Sequence, residues 1–402
     1  MYIARQPIFN RLMKIYGYEL LFRAESGASS FGNTPSSVAT AAVLGGLFEQ
    51  GIDRIVGKSK AFINFDYEFI LSENIELIDP KTLVIEVLES VAVDEKLIDR
   101  IKDLKKKGYK IALDDFEESL STYPIVPIAD IIKYDIIITP LDTIEREVEQ
   151  ALLQGKTILA EKIENIQEFQ KAKEMGFQLF QGYFFSKPKI VEGSKIKKSA
   201  KIQYSMILNE LKKDEPSYNA ITEIIESDVN LAYRAMKVMS NRRRDDSFRS
   251  IKDALVRMGF RELERWINVL MLQELSADKP TEIMKLSLVR SKFGEYIASN
   301  CIYSNRKEEV SMMCLFSMLD AIMDAPMTVA LDGMMISDDV FNALVYHQGS
   351  LKPICDILTA YEAGDWETVN VLSDYIHLNP KLLSPGYIEA IHWVTKFFES
   401  IE

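Results

Sequence analysis

The stretch Ile111-Ala-Leu-Asp-Asp115 joins a short apolar run to two adjacent carboxylates, and similar runs recur through the first half of the chain. Each of them ends on a carboxylate, an amide or a lysine, and the segments between most of them are long enough for a helix. Alternating strand, polar residue and helix predicts a (β/α) barrel of the TIM type, whose functional groups lie at the C-terminal ends of the strands. The other runs are Tyr16–Glu19, Lys60–Asn64, Leu83–Glu86, Ile131–Lys133, Thr157–Glu161 and Leu179–Gln181.

The polar ends of these runs indicate a divalent-metal site. Oxygen ligands that converge on one mouth suit Mg²⁺ or Mn²⁺, which prefer carboxylate, carbonyl and water. Asp114 and Asp115 can face two ions from one turn, Lys133 can orient or polarise water, and Arg23 can hold a phosphate. For any one of these residues a strand-end cap or a loop hydrogen bond is the commoner explanation. In this assignment, Glu19, Asn64 and Glu86 complete the ligand set of one ion, and Glu161 completes that of the second.

Length and composition set the outer bounds. A chain of 402 residues that is 47% hydrophobic can bury more than one core, so we expect two domains. The net charge of −12 argues against wholesale binding to nucleic acid or to anionic membranes. The three cysteines lack pair spacing, which disfavours a disulfide framework or a thiolate zinc site. The chain shows neither a secretory leader nor an apolar stretch long enough to span a bilayer, so we expect a soluble, cytoplasmic protein.

The alternation of predicted strands and helices stops near residue 190. We expect a barrel domain over residues 1–190, a lysine-rich linker over 191–201 and an all-helical domain over 202–402, because apolar residues then recur with a 3.6-residue period. The three histidines lack ligand spacing, and the basic cluster between Arg242 and Arg265 is interleaved with acidic residues, which disfavours nucleic-acid binding. Helices are predicted on both sides of Gly259, over Glu282–Ile302 and, as one buried Met-rich helix, over Val310–Met323.

Eight motifs of the first half resemble, in order, the signature set of EAL domains. That family hydrolyses cyclic di-GMP to the linear dinucleotide pGpG with Mg²⁺ or Mn²⁺ on a modified TIM barrel. The motifs are Gln6-Pro-Ile8, Tyr18–Arg23, Phe62–Asn64, Ile85–Glu89, Ala112–Phe116, Ile132–Asp135, Ala160–Glu164 and Gln181–Pro188.

The resemblance implies a role for each matching residue. Lys133 and Glu161 are the implied catalytic residues, with Lys133 activating water or stabilising charge. Substrate contacts are assigned to Gln6, Arg23 and Gln181, and supporting roles to Glu89 and Glu164. The implied metal ligands are Glu19, Asn64, Glu86, Asp114, Asp115 and Glu161.

Four departures from the family pattern bear on activity. The defining Glu-Ala-Leu is Glu19-Leu-Leu21 here, and active relatives usually have glycines in the loop after Asp115, where this chain has Glu117 and Glu118. Because glycine permits positive φ angles, this change must alter the path of the loop, and it adds negative charge near an anionic ligand. In the family this loop couples dimerisation to metal binding, so a homodimer is an open expectation. Lys162 replaces a usual glycine and Leu88 a usual threonine.

The second half resembles the HDOD family, a helical output domain related to HD phosphohydrolases but without their metal residues. The resemblance lies in Ala235–Asn241 and Ser250–Leu263, and Cys314–Leu319 lies where an HD enzyme has a histidine–aspartate pair. It implies a non-catalytic domain that contacts a protein partner the sequence does not identify.

Three functions remain open from the sequence. The first is a metal-dependent cyclic di-GMP phosphodiesterase with weak or regulated hydrolysis, which we favour because the ligand set is retained. The second is an inactive cyclic di-GMP sensor that passes its occupancy to the helical half. The third is a scaffold that acts through protein contacts alone.

Overall fold

The computed structural model describes residues 2–23, 51–182, 184, 198–226, 231, 235, 250–275, 280–332 and 336–399. The predicted barrel followed by a helical region is confirmed. Eight strands close the barrel in sequence order; β1 is antiparallel to both its neighbours, β2 and β8, and the other pairs are parallel. The strands are β1 Tyr2–Asn10, β2 Ile15–Arg23, β3 Lys60–Phe65, β4 Leu83–Val87, β5 Lys110–Leu113, β6 Ile131–Asp135, β7 Thr157–Glu161 and β8 Leu179–Gln181.

An apolar layer fills the barrel beneath the predicted polar positions. Side chains of a strand alternate between its two faces, so residues two apart point the same way. On β4, for example, Val84 belongs to the buried apolar cluster and Glu86 follows two positions later. On six other strands, the polar mouth residue likewise lies two positions from a member of this apolar cluster. The members of the cluster are Ile8, Phe62, Val84, Ala112, Ile131, Leu159 and Leu179.

Short helices follow the strands on the outside of the barrel. Asp94 caps the helix Glu95–Lys106 by accepting a hydrogen bond from Leu97 N at 2.8 Å. Leu97, Ile101 and Leu104 of this helix are buried at helical spacing. The helices of this region are α1 Asp53–Val56, α2 Tyr67–Leu71, α3 Glu95–Lys106, α4 Glu145–Leu153 and α5 Ile166–Met175.

The second half is entirely helical where the structure describes it. Gly259, with a φ of 78°, separates two helices as predicted. No helix of the described residues is both long and apolar enough to cross a membrane. The helices are α6 Lys198–Leu211, α7 Tyr218–Glu226, α8 Ile251–Met258, α9 Phe260–Leu275, α10 Thr281–Ser299, α11 Lys307–Phe316, α12 Leu319–Met323, α13 Met327–Ala330, α14 Asp338–Val345, α15 Lys352–Ala363, α16 Trp366–Tyr375 and α17 Leu383–Glu399.

One local prediction needs correction. The single helix expected over Val310–Met323 is broken between α11 and α12, because Met318, with φ −121° and ψ 18°, leaves the helical conformation. The break lies beside the division between the chain's two compact units, at Leu315 and Phe316, so the two helices pack in different cores. Residues 198–201 of the expected linker belong to α6, and 191–197 lie outside the described residues.

The chain divides into two compact units in a way that differs from one boundary near 190. The first unit comprises residues 1–187, 285–315 and 350–402, and the second comprises 188–284 and 316–349. The chain passes from the first unit to the second between residues 187 and 188 and then returns twice to the first unit. The expected domain limits, residues 1–190 and 202–402 with a linker over 191–201, stay a prediction. They concern whether each segment folds independently.

Helices of the second half pack on β1 within the first unit. The Tyr361 hydroxyl donates to the Ile3 carbonyl at 2.9 Å, and Ile3 N donates to Ser384 Oγ at 3.1 Å. The Tyr2 ring stacks on Trp366 with 5.1 Å between centroids. Helices α15 and α17 thereby cover β1 and hold the beginning of this strand in place.

In the second unit, α6 packs against α7 and α9, and α7 packs against α8. Tyr218 stacks on Phe260 with 3.9 Å between ring centroids.

Candidate functional site

The polar residues predicted at the strand ends meet in one layer at the barrel mouth. Glu19, Glu86, Lys133, Glu161 and Gln181 are all buried. Asp114 lies directly after β5 and keeps the strand's alternation, and its N–H donates to the Val87 carbonyl at 3.1 Å. Because β1 runs in the opposite direction, Gln6, two residues before Ile8, also lies at this end.

Lys133 occupies the centre of the layer. Its Nζ lies 2.6 Å from Glu86 Oε1, 2.5 Å from Asp114 Oδ1, 2.9 Å from Glu161 Oε1 and 3.9 Å from Glu19 Oε2. The Lys133 side chain has no exposed surface. One fully buried ammonium thus lies among four carboxylates.

Burial and mutual repulsion raise the pKa values of three acidic groups, Glu86, Asp115 and Glu161. Burial raises the pKa of Glu86 well above its ordinary value and that of Glu161 to about 8, against the opposing effect of Lys133. Burial and the neighbouring charge of Asp114 raise the pKa of Asp115. Burial alone disfavours a charged Lys133, but the surrounding carboxylates outweigh it and raise the pKa of Lys133 well above its ordinary value. Lys133 is therefore a cation and cannot accept a proton from water.

Side-chain amides of Asn64 and Gln181 hydrogen-bond to the Glu19 carboxylate. Asn64 Nδ2 donates to Glu19 Oε1 at 3.2 Å, and Gln181 Nε2 donates to Glu19 Oε2 at 2.6 Å. Gln181 Nε2 also donates to Gln6 Oε1 at 2.9 Å. Three buried oxygens here have no hydrogen-bond partner among the described residues: Asn64 Oδ1, Gln181 Oε1 and Glu86 Oε2.

This donor set fits divalent cations. Carboxylate oxygens of Asp114, Asp115 and Glu161 all lie within 4.8 Å of one another. The unpartnered buried oxygens of Asn64 and Glu86 are acceptors that a cation would satisfy, since an unsatisfied buried polar atom is costly. Five carboxyl groups face one buried ammonium, which leaves up to four negative charges, and two divalent cations would neutralise them.

Two backbone features shape the rim. Asp115 has a φ of 40° and Lys162 a φ of 56°, which turns the chain sharply after β5 and β7. At Gly182, with a φ of 141°, an added Cβ would lie 2.1 Å from the Ile163 carbonyl oxygen. Only glycine therefore allows the end of β8, which carries Gln181, to approach this loop.

A cavity of about 400 Å³ opens above the layer, a volume typical of small-molecule sites. Its lining includes Asp115, Lys162 and Ile163 from the rim, Leu21 from β2 and Ala363 from the end of α15. A polar ligand of moderate size can therefore contact the carboxylates from above.

Comparisons with known proteins identify the family. The EAL domain model matches residues 67–188. The uncharacterized protein YuxH of Bacillus subtilis is 32% identical over 405 residues, which cover 98% of this chain and 97% of YuxH. The cyclic di-GMP phosphodiesterase CdgJ of Vibrio cholerae is 30% identical over 397 residues, covering 98% of this chain and 92% of CdgJ.

The chain belongs to the EAL-domain family.

A comparison with solved structures finds matches of low sequence identity. BlrP1 of Klebsiella pneumoniae, in a complex with calcium and cyclic di-GMP, is 21% identical with a TM-score of 0.40, and the match covers 46% of this chain and 55% of BlrP1. An EAL domain protein of Listeria monocytogenes is 21% identical with a TM-score of 0.35, covering 46% of this chain and 86% of that protein.

Not every predicted site residue of this EAL-domain chain lies in the layer. Glu89 is exposed and is not among the residues that line the cavity, whereas Glu164 is exposed and lines it. Glu117 and Glu118 are also exposed and outside the cavity lining, so nothing in their placement brings them to the ligand. The side chain of Arg23 lies outside the described residues.

Sequence reasoning missed two parts of the site. Asp135 is 2% exposed and pairs with Lys162 at the rim. Its position two residues after Lys133 on β6 was a usable signal, because the two side chains share a face. The contribution of Ala363 and its neighbour Glu362 had no local signal, because they lie far along the chain from the barrel.

Proposed function

We propose that this EAL-domain chain is a cyclic di-GMP signalling protein whose barrel binds cyclic di-GMP and hydrolyses it, weakly or conditionally, to linear pGpG with Mg²⁺ or Mn²⁺. The observation that carries the proposal is the buried carboxylate layer around Lys133 beneath an open cavity. The relative CdgJ, whose name states a cyclic di-GMP phosphodiesterase, supports the choice of substrate.

The proposal assigns the layer to two cations. One would be held by Glu19, Asn64, Glu86 and Asp114, and the second by Asp114, Asp115 and Glu161. Two divalent cations at such a site supply an activated water and neutralise charge on the phosphodiester.

The chain's own groups then have distinct tasks. Lys133, as a buried ammonium, donates hydrogen bonds and offsets negative charge near the scissile phosphate. Glu161, whose pKa is raised in the metal-free site, gives up any proton when it binds the second cation and then helps to orient the attacking water. Gln181 and Gln6 present amides at the mouth and can contact the dinucleotide.

A second candidate is a sensor that binds cyclic di-GMP without hydrolysing it. The observation in its favour is the ammonium of Lys162, whose charge acts on both Asp115 and Glu161 beside the second metal position. A cation there competes electrostatically with a second metal ion. The third candidate, a scaffold without ligand, has no such support, because the oxygen-rich layer is intact.

We further propose that the helical half is an HDOD-like, non-catalytic output region that contacts a protein partner. A homodimer is one assembly that fits this role. Both YuxH and CdgJ align over almost the whole of this chain, which is consistent with one shared two-part architecture.

One experiment separates the candidates. The purified full-length chain is incubated with cyclic di-GMP and Mn²⁺ or Mg²⁺, and both bound nucleotide and pGpG are measured. Binding with product supports the enzyme, binding alone the sensor, and neither the scaffold. Glu161→Gln removes a predicted ligand, and Asp142→Asn changes an exposed carboxylate as the matched control. Hydrolysis that survives in both Glu161→Gln and Glu19→Gln contradicts the assignment of these residues as metal ligands.

A further inference from the structure

Gln6 is held from two sides, by the barrel and by a helix of the second half. Its Oε1 accepts a hydrogen bond from Gln181 Nε2 at 2.9 Å, and its Nε2 donates to the main-chain carbonyl of Glu362 at 3.2 Å. A carbonyl oxygen only accepts, so the Nε2 of Gln6 must face the helix and its Oε1 must face Gln181. The contact with Glu362 therefore determines the orientation of the Gln6 amide.

The helix end that contacts Gln6 is itself firmly positioned. Glu362 lies in the last turn of α15, where carbonyl groups have no partner within the helix. Its buried carboxylate forms a bidentate pair with Arg290 of α10, with N–O distances of 2.8 and 2.6 Å. Gly364 ends the helix with a φ of 74°, and an added Cβ there would lie 3.0 Å from Leu21 Cδ1 on β2.

The same hydrogen-bond chain ends on Glu19. Gln181 Nε2 divides its two donor hydrogens between Gln6 Oε1 and Glu19 Oε2, the latter at 2.6 Å. If Gln6 turned away, Gln181 would lose one of the two acceptors that fix its amide. Glu19 would then lose the constraint on the direction of its Oε2, and groups behind a ligand commonly determine how well that ligand binds metal.

We propose that the end of α15 controls metal binding through Gln6, which acts as a positioning residue for Glu19 in addition to any contact with substrate. This inference deepens the proposed function and rests on it only for the identity of Glu19 as a metal ligand. Through this contact a displacement of α15, whatever causes it, changes the affinity of the barrel for its cation. Four groups connected by hydrogen bonds transmit this effect. They are the Glu362 carbonyl, Gln6, Gln181 and Glu19.

The test measures Mn²⁺ affinity of the full-length chain by calorimetry, without nucleotide, so that a substrate contact of Gln6 cannot contribute. Gln6→Met keeps the length of the side chain and removes both hydrogen bonds, and we expect about tenfold weaker Mn²⁺ binding. Arg290→Met removes the partner of the Glu362 carboxylate without changing a proposed metal ligand, and we expect a several-fold loss of Mn²⁺ affinity. Arg290→Lys keeps the charge and should restore part of the affinity.

The double variant Gln6→Met/Arg290→Met tests whether the two residues act through the same contact. If Arg290 acts through Gln6, the combination binds Mn²⁺ no more weakly than Gln6→Met alone, whereas independent effects would add. Asp356→Asn is the matched control, because it breaks the half-buried pair with Lys352 in the first half of α15 and should leave the affinity unchanged. Melting temperatures of all variants are measured in EDTA. Should Arg290→Met fail to fold, Gly364→Ala displaces the same helix end, because its φ and its closeness to Leu21 disfavour a side chain.

Each outcome has a clear meaning. Wild-type affinity in folded Arg290→Met or Gly364→Ala, or additive losses in the double variant, overturns the positioning role while the metal site stands. A wild-type chain that binds no Mn²⁺ refutes the proposed metal site, and the positioning role with it.

Discussion

Replacing Lys133 with methionine should destabilise the metal-free protein, and more so at higher pH. The ammonium contacts Glu86, Asp114 and Glu161 at 2.5–2.9 Å and is fully buried. Methionine is unbranched and of similar length, so packing changes little while the counter-charge disappears. Breaking a buried ion pair by removing one partner typically costs about 3–5 kcal/mol.

The pH dependence of this loss follows from linkage. The folded variant can relieve the unpaired charge by binding one more proton, which limits the cost. In the unfolded chain a carboxyl has a pKa of about 4, and each pH unit above it adds about 1.4 kcal/mol to the free energy of holding that proton. The folded-state pKa of the acid is raised, so stability is lost as pH rises. The loss should be about 4 kcal/mol at pH 7 and about 1.5 kcal/mol at pH 5.

Urea unfolding at the two pH values, in EDTA, measures the effect. Lys171→Met is the matched control, since this lysine forms only an exposed pair with Asp142 and such pairs contribute at most about 1 kcal/mol. Adding Mn²⁺ should recover part of the loss in Lys133→Met, because a cation replaces the ammonium. Equal losses at pH 5 and pH 7, or no loss at either, would show that Lys133 does not balance the carboxylates.

Four further predictions concern the same site and the domain boundary. Glu19→Ala or Asp114→Ala should abolish Mn²⁺ binding while circular dichroism stays native; unchanged affinity by calorimetry in both variants would disprove the metal site. Because burial raises the pKa of Glu161 to about 8, protons compete with metal below that value, so Mn²⁺ affinity should rise by up to about tenfold per pH unit from pH 6 to pH 8 and level off above; a flat titration contradicts this. Exchanging Glu117–Ser119 for Gly-Thr-Gly should raise turnover of cyclic di-GMP several-fold by restoring backbone freedom after Asp115; an unchanged rate would show that this loop does not limit the site. Limited proteolysis should cut first near Lys195–Lys201, and early cuts inside residues 60–180 would count against the boundary.

The strand ends were predictable because two simple rules agree there. Val84 and Glu86 illustrate them: an apolar residue faces the core, and the polar residue two positions later faces the same way at the mouth. Parallel strands all point their C-terminal ends at one face, so residue type and order were enough to gather the layer. The exception was β1, whose antiparallel direction brings Gln6 to the mouth from the strand's beginning rather than its end.

What escaped prediction depends on contacts between distant parts of the chain. Periodicity marks α15 as a helix but carries no information about its partner, so the contact of Glu362 with Gln6 was invisible. The central place of Lys133 among the carboxylates was likewise hidden, because its environment is assembled from four other strands. The break before Leu319 was missed because apolar residues continue across it.

The two-residue step between the apolar and polar layers has an evolutionary consequence. The residues that keep the barrel folded, such as Phe62 and Leu159, differ from those that would bind a ligand, such as Asn64 and Glu161, although they share strands. A lineage can therefore exchange mouth residues outside the Lys133 cluster, such as Asn64, while selection on stability keeps the layer below unchanged. Descendants of a hydrolase on this scaffold can lose turnover, keep binding and remain well folded, so barrel architecture by itself is a poor guide to activity.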